Sequence, residues 1–445
     1  MAAVARAGAG WRRCIPSAVR LFAAVLLLLC AACPPPADPD PPARVRLANG
    51  GSAREDEAPP QAEQGPLPEG VERYELGALA VEGGRGPELL IDLDDTVRSV
   101  TLVVLAWPEA SVVLERLAAP DGSLAVDPEP PAEATRQVMR LSRGFPGPFL
   151  SKNRVVPKLA GGSFVVPASP ELELTAGTWS ARLAQGVVAV AADGAVDQEP
   201  LDRALRLTVL LDTRSSASRG QLQLAVHLTG AGGLQAANVA DDTLWQAALA
   251  TLTDSFADAG VDVTVAGYHD VEGGALLRSP ELRPELCEGG ELATLLGALA
   301  PTPGAVDVVL VDRLRCTVGG ATVLDSFAGL AASVPGDALL EGGPHGGVAL
   351  ALGVVGSDPA LAGHTLAHEL GHLLGLFHTM EQVSGADPPI YDVVADTPDA
   401  PDFADNLMAA VPGGSRALTE GQAHVLRTNP WVAPAPALAP GEGGR

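Results

Sequence analysis

The sequence predicts a multidomain fold, an all-β sandwich followed by an α/β domain. Three observations predict it. Short apolar runs with a period of two fill residues 69–212, strand and helix patterns alternate from Gln221 onward, and a polar joint at 213–220 (TRSSASRG) separates them. A chain of 445 residues suits several domains, and 47% hydrophobic residues suffice for packed cores. Fifty Gly and 39 Pro favour loops and turns over helical arrays. Lys+Arg 29 against Asp+Glu 54 gives a net charge of −25. That balance argues against nucleic acid as a partner, because so little positive charge could neutralise a row of phosphates.

Residues 1–33 read as an export signal. Arg6, Arg12, Arg13 and Arg20 stand in an acid-free start, followed by an apolar run at 21–29 and Cys30-Ala31-Ala32-Cys33. That run is too short to span a bilayer as a helix. Ala31-Ala32 before Cys33 resembles a bacterial lipoprotein box, although Cys30 stands where Leu is usual. The resemblance implies acylation of Cys33 and a membrane tether at the cell envelope; plain secretion is the other reading. Residues 34–68, rich in Pro, Ala, Asp and Glu, read as a disordered stalk.

In the first folded region the strands expected are 99–106 (SVTLVVLA), 111–117 (SVVLERL), 172–174, 177–183 (GTWSARL) and 205–211 (LRLTVLL). Turn chemistry separates them at Asp121-Gly122, residues 128–131, Gly161-Gly162 and Ala176-Gly177. Residues 172–183 (LELTAGTWSARL) resemble the closing strands of jelly-roll modules attached to secreted bacterial proteases, which implies a jelly-roll-like sandwich. Spacer and binding roles both stay open for it.

The second region, 220–433, opens with a strand whose Leu222, Leu224, Val226 and Leu228 share one face. A helix follows Asp241-Asp242, with Leu244/Trp245, Ala248/Leu249, Leu252 and Phe256 at helical spacing and Gly260 as its stop. Then come a strand at 261–265, a short helix near 291–299, and strands at 306–311 and 348–354. Residues 418–429 read as a closing helix and 434–445 as a disordered tail.

Ser357-Asp358-Pro359 starts a helix over 360–374 that carries HELGHLLGLFH. His368 and His372, four apart, leave one helix face a turn apart, where one Zn²⁺ can take both. Glu369 can reach a water on the metal's open position. Gly375 permits the turn that returns His378 as third ligand. Three neutral ligands keep the ion's charge and leave a site for water, lowering that water's pKa to about 7. Glu369 would take its proton and hand it to the leaving amine.

HExxHxxGxxH is the metzincin zinc-peptidase signature, and this chain is similar to that family at every defined position, through His368, Glu369, His372, Gly375 and His378. The segment at 392–398 (DVVADTP) followed by Asn406-Leu407-Met408 resembles the pappalysin/cytophagalysin branch. The resemblance covers about 221–432, and its motifs are specific over 368–408. It implies a two-lobed zinc endopeptidase domain acting on proteins or peptides, with Met408 in a structural Met-turn and strand 348–354 as the edge along which substrate lies. Many members carry a Tyr two residues after the Met; here Ala410 stands there, so either Tyr391 or a backbone group substitutes or the enzyme is slower. The branch also suggests Ca²⁺ near Asp387, Asp392, Asp396, Asp399, Asp402 and Asp405, for which a solvated acidic loop is the plain alternative.

Cys287 and Cys316 follow the signal region and, after export, suit a disulfide closing a loop for about 3–4 kcal/mol. His364 reads as supporting the ligands or facing solvent; His227, His269, His345 and His424 read as structural or surface. Two functions result: an exported zinc endopeptidase, or a non-catalytic cell-surface binding protein with a degenerate peptidase domain.

Overall fold

Alternating burial organises the first part of the chain. The structure is a computed structural model, describing residues 44–61, 66–127, 158–190, 196–214, 218–282, 290–318, 321–324, 327–339, 343, 345–381, 390–397, 405–409 and 417–435. Its N-terminal strands are β1 (Val45–Leu47), β2 (Val71–Leu79), β3 (Leu89–Leu93), β4 (Ser99–Leu105), β5 (Ala110–Ala118) and β6 (Leu124–Val126). They continue as β7 (Lys158–Leu159), β8 (Gly161–Val166), β9 (Gly177–Val190), β10 (Val196–Pro200) and β11 (Leu205–Asp212). One antiparallel sheet runs β1-β3-β9-β5-β6, with β10 on β9 and β7 on β5; the other runs β2-β11-β4-β8.

The two sheets share one apolar core. Ile91, Leu183 and Trp179 of the first meet Leu102, Val104, Leu205, Leu207, Val209 and Leu211 of the second. Trp179 keeps its indole N–H satisfied on the Thr175 carbonyl at 2.9 Å. The opposite face of the second sheet, with Val71, Val103 and Leu210, belongs to the core of the following region. Period two therefore serves two cores at once.

Four sequence expectations change here. Part of the supposed stalk is built into the fold: β1 pairs with β3, Val45 is buried, and Arg44 bonds Glu72. Residues 172–174 form no strand. Gly161-Gly162 open β8 instead of forming a separate turn; a Cβ on Gly161 would lie 2.2 Å from the Val104 carbonyl, so the close strand approach requires glycine. Pro434 and Ala435, assigned to the tail, pair with Gly220 and Arg219. Residues 1–43, the signal and the start of the stalk, lie outside the described residues, as do 436–445. Among the described residues no helix is long and apolar enough to cross a membrane.

The second region contains β12 (Gly220–Leu228), α1 (Thr243–Ala257), β13 (Val261–Asp270), β14 (Glu281–Leu282), α2 (Glu291–Gly297), β15 (Ala305–Val311), β16 (Arg315–Val318) and β17 (Ala321–Leu324). After them come β18 (Gly329–Ala331), β19 (Gly347–Ala351), α3 (Leu352–Val355), α4 (Pro359–Leu373), β20 (Met380–Glu381), β21 (Ile390–Tyr391), α5 (Glu420–Thr428) and β22 (Ala433–Pro434). Its main sheet runs β13-β12-β15-β19-β18; the first four strands are parallel and β18 is antiparallel. The apolar stripes of α1 (Trp245, Leu252, Phe256) and α4 (Leu366, Leu370, Leu373) cover one face. Leu292, Leu295 and Leu296 of α2 cover the other, against Val309, Val311 and Ala351.

The expected edge strand at 348–354 needs correcting. The strand β19 ends at Ala351, where the chain turns into α3, and it lies between β15 and β18. The edge is β18, missed because a three-residue strand carries almost no periodic signal.

Buried charge joins the two regions. Asp212, at the end of β11, accepts from Arg214 at 2.7 Å and from Arg98 at 2.8 Å, while Arg214 also donates to the Pro430 carbonyl at 2.9 Å. Burial raises the Asp212 carboxyl, but hydrogen bonds and charge from Arg214 and Arg98 outweigh it and hold it below the usual range. A carboxyl depressed on folding stabilises fully above its unfolded pKa of about 3.9, and that contribution fades as pH falls through the lower folded value. Asp212→Asn should cost about 3–5 kcal/mol near neutral pH. Urea melts across pH should show the gap between variant and wild type closing only in the acid range.

Candidate metal centre

The site begins with helix α4. Asp358 caps it, accepting from the Ala360 and Leu361 N–H groups at 3.0 and 3.1 Å, and Pro359 sits in the first turn. The helix ends beyond Leu373, where Gly375 takes φ +106 and the Leu376 N–H bonds back to the Gly371 carbonyl at 2.9 Å. This turn brings His378 back toward His368 and His372. The His368 and His378 Nε2 atoms are 3.3 Å apart, and those of His372 and His378 are 3.1 Å apart.

The other ring nitrogens explain the orientation. His368 Nδ1 lies 2.8 Å from the Leu407 carbonyl and His372 Nδ1 lies 2.8 Å from the Leu376 carbonyl. A carbonyl only accepts, so each Nδ1 carries a proton, and a neutral ring so held would present its Nε2 lone pair to the centre. Burial lowers the His368 pKa against the opposing Leu407 contact, which favours the neutral ligand form. Lone pairs this close repel one another unless a cation lies among them. For tetrahedral zinc with Zn–N of about 2.0–2.1 Å, neighbouring nitrogens stand about 3.3 Å apart. The residues fit that ion. Among the described residues these three histidines are the group placed to hold a metal.

Glu369 follows His368 on α4. Its Oε2 accepts the Ala331 N–H of β18 at 2.8 Å. Burial pushes its carboxyl up to about 7, although that N–H acts downward. The Ala351 N–H bonds the Ala328 carbonyl and the Ala332 N–H bonds the Gly347 carbonyl, so the polar groups of Gly329 and Ala331 face away from β19. Gly329 is required there, since a Cβ would lie 2.7 Å from Glu369 Cγ.

Met408 is fully buried beneath α4, and a Cβ on Gly371 would meet its Sδ at 2.6 Å. The Met408 N–H donates to Asn406 Oδ1 at 2.8 Å, and the Asn406 amide exchanges hydrogen bonds with Gln422 at 2.8 and 3.2 Å. Gln422 also closes a capping box with Thr419 at the start of α5. The sequence reading named Asn406 but missed this pairing; T-x-x-Q at 419–422 was its available signal.

The acidic segment divides. Asp392 accepts from Thr397 and Val394, and Asp396 accepts the Gly421 N–H at 2.8 Å. Asp387, Asp399, Asp402 and Ala410 lie outside the described residues, and Asp405 immediately precedes the Met408 turn. Tyr391 lies on β21, paired with Met380 two residues beyond His378. His364 is buried on α4. His227 contacts Asp307 at 2.8 Å within the main sheet, away from the triad. Cys316 is disulfide-bonded, while Cys287 lies outside the described residues.

No family model and no curated protein matches the sequence. Solved structures do. Metalloproteinase-II of Bacteroides fragilis matches over 82% of this chain and 92% of its own, at 12% identity and a TM-score of 0.27. Protein YXIM of Bacillus subtilis matches over 55% of this chain and 54% of its own, at 11% identity and a TM-score of 0.14. At such scores neither likeness bears on what this chain does.

Gly371→Ala should overpack the contact with Met408 and cost about 1–3 kcal/mol. Thermal melts with and without added zinc should show the apo protein losing stability and the zinc-dependent increment shrinking as the histidines are displaced.

Proposed function

We propose that the chain is an exported zinc-dependent endopeptidase of the metzincin type, with a jelly-roll-like β-sandwich ahead of its catalytic domain. The observation that carries this reading is the convergence of the His368, His372 and His378 Nε2 atoms, with Glu369 next to His368 on the same helix. The three histidines would hold the ion, which when bound supplies a Lewis acid for the scissile carbonyl and for water.

The remaining chemistry belongs to the chain. A carboxyl pushed up to about 7 is matched to proton transfer near neutral pH. Glu369 takes the proton of the water attacking the scissile carbonyl and delivers it to the leaving amine nitrogen. A peptide laid beside β18 meets the outward main-chain groups of Gly329 and the Ala331 carbonyl, the Ala331 N–H being held by Glu369, in the β-augmentation mode of recognition. Met408, anchored through Asn406 and Gln422, supports the rings from below. Calcium in the acidic segment is part of the proposal, with Asp392 and Asp396 already bonding Thr397, Val394 and Gly421. Cys287 is the proposed partner of Cys316. Residues 1–33 are the proposed export signal and Cys33 the proposed lipid attachment point, tested by fatty-acid labelling beside Cys33→Ser.

Full-length protein assayed on casein and a quenched peptide library should hydrolyse both. Glu369→Ala should lower kcat by at least about 100-fold while retaining one zinc per chain. Equal signals from the two would leave a non-catalytic surface protein as the reading. Chelation should abolish hydrolysis and stoichiometric zinc should restore it; His372→Ala should fail to recover it at that zinc concentration.

A further inference from the structure

The N-terminal sheets reach toward the active site through a lysine. Lys158, on β7, is 2% exposed, and its stem lies against Gly162 with its ammonium 5.9 Å from the centre of the Phe164 ring. Nζ donates to Ser333 Oγ at 2.9 Å, to the Pro335 carbonyl at 2.9 Å and to the Val334 carbonyl. Three ammonium donors thus meet three acceptors on consecutive residues. The grip is reinforced nearby, where Ser163 Oγ accepts the Ala338 N–H at 2.9 Å. Across the site, Glu171 of the same N-terminal region accepts the Ala395 N–H at 3.1 Å.

The gripped segment begins two residues after Ala331, whose N–H holds the Glu369 carboxylate. Strand β18 is only three residues long and pairs with β19 along one side. A short edge strand has few ladder bonds to fix its position, so its trailing end matters. The close fit of Gly329 against Glu369 transmits any displacement directly to the carboxylate.

We infer that Lys158 is a positioning residue for the proposed peptidase: by fixing residues 333–335 it sets β18, and through the Ala331 N–H it sets Glu369. The inference rests on the peptidase reading and makes the N-terminal sheets a working part of the active site. A displacement of about 1 Å in catalytic geometry costs on the order of 100-fold in rate.

The test compares wild type, Lys158→Met and Ser333→Ala in the full chain, zinc-loaded. Lys158→Met should lower kcat at least about tenfold with zinc still one per chain. Ser333→Ala, which keeps the buried ammonium and two of its acceptors, should lower kcat by about threefold. Hydrogen exchange should quicken in peptides spanning 328–335 in both variants, a change that general destabilisation would spread over the whole chain. Unchanged kcat with unchanged exchange overturns the inference, and so does a raised kcat, which would make the N-terminal region a brake. Should Lys158→Met fail to fold, Ser333→Ala decides by the same measurements. Wild type without hydrolysis overturns the peptidase reading and this inference together; active wild type with unaffected variants overturns this inference alone.

Discussion

Three imidazoles that turn their Nε2 atoms toward one point are the constraint on which the site depends. Left without a cation, lone pairs about 3 Å apart repel, and the arrangement would relax by rotating a ring. Rotation is opposed because His368 and His372 are each tied through Nδ1 to a main-chain carbonyl. Those carbonyls come from Leu407, before Met408, and from Leu376, after Gly375. The turn that ends α4 therefore does two jobs. It carries His378 into place and supplies the acceptor that orients His372.

The same logic extends outward. The loop bearing Leu407 and Met408 is held by polar closure as much as by apolar contact. Asn406 and Gln422 are both buried, and each satisfies the other's amide while also binding backbone around it. Such a pair is directional, so α5 can dock in one register only; a slip would leave two amides without partners. Asp396, accepting from Gly421, and Asp392, closing on Thr397, add to that anchoring. Both acids supply acceptors to N–H and O–H groups that would otherwise lack them.

Much of this was legible in the residues. A spacing of four on a helix, then a glycine, then a third histidine leaves little conformational choice, and Asp358-Pro359 marks the helix start by plain capping chemistry. The strands of the main sheet carried clear alternation or long apolar runs, as at Leu222–Leu228 and Val306–Val311. What escaped was either short or long-range. Strand β18 has three residues, and β1 has three within a Pro-rich stretch that reads as unstructured by composition. Val45 is buried only because β3 lies beside it, a fact no local window contains. The roles of Asn406, Gln422 and Lys158 depend on partners 16 to 177 positions away. Tertiary contact decides them, not propensity.

The seam between the two regions shows why such distant partners matter for Glu369. Apolar contact, as among Val71, Val103, Leu210 and Val432, gives adhesion without direction and tolerates sliding. A buried ion does not. Asp212 between Arg98 and Arg214, and Lys158 among Ser333, Val334 and Pro335, each have low-energy arrangements only when their partners are in place. Displacement would strand a charge away from water at a cost larger than most single apolar contacts can offset. The chain has only two lysines, and one is buried at this seam. Its acceptors lie immediately after the edge strand that touches Glu369, so the geometry gained is gained where a proton would have to move.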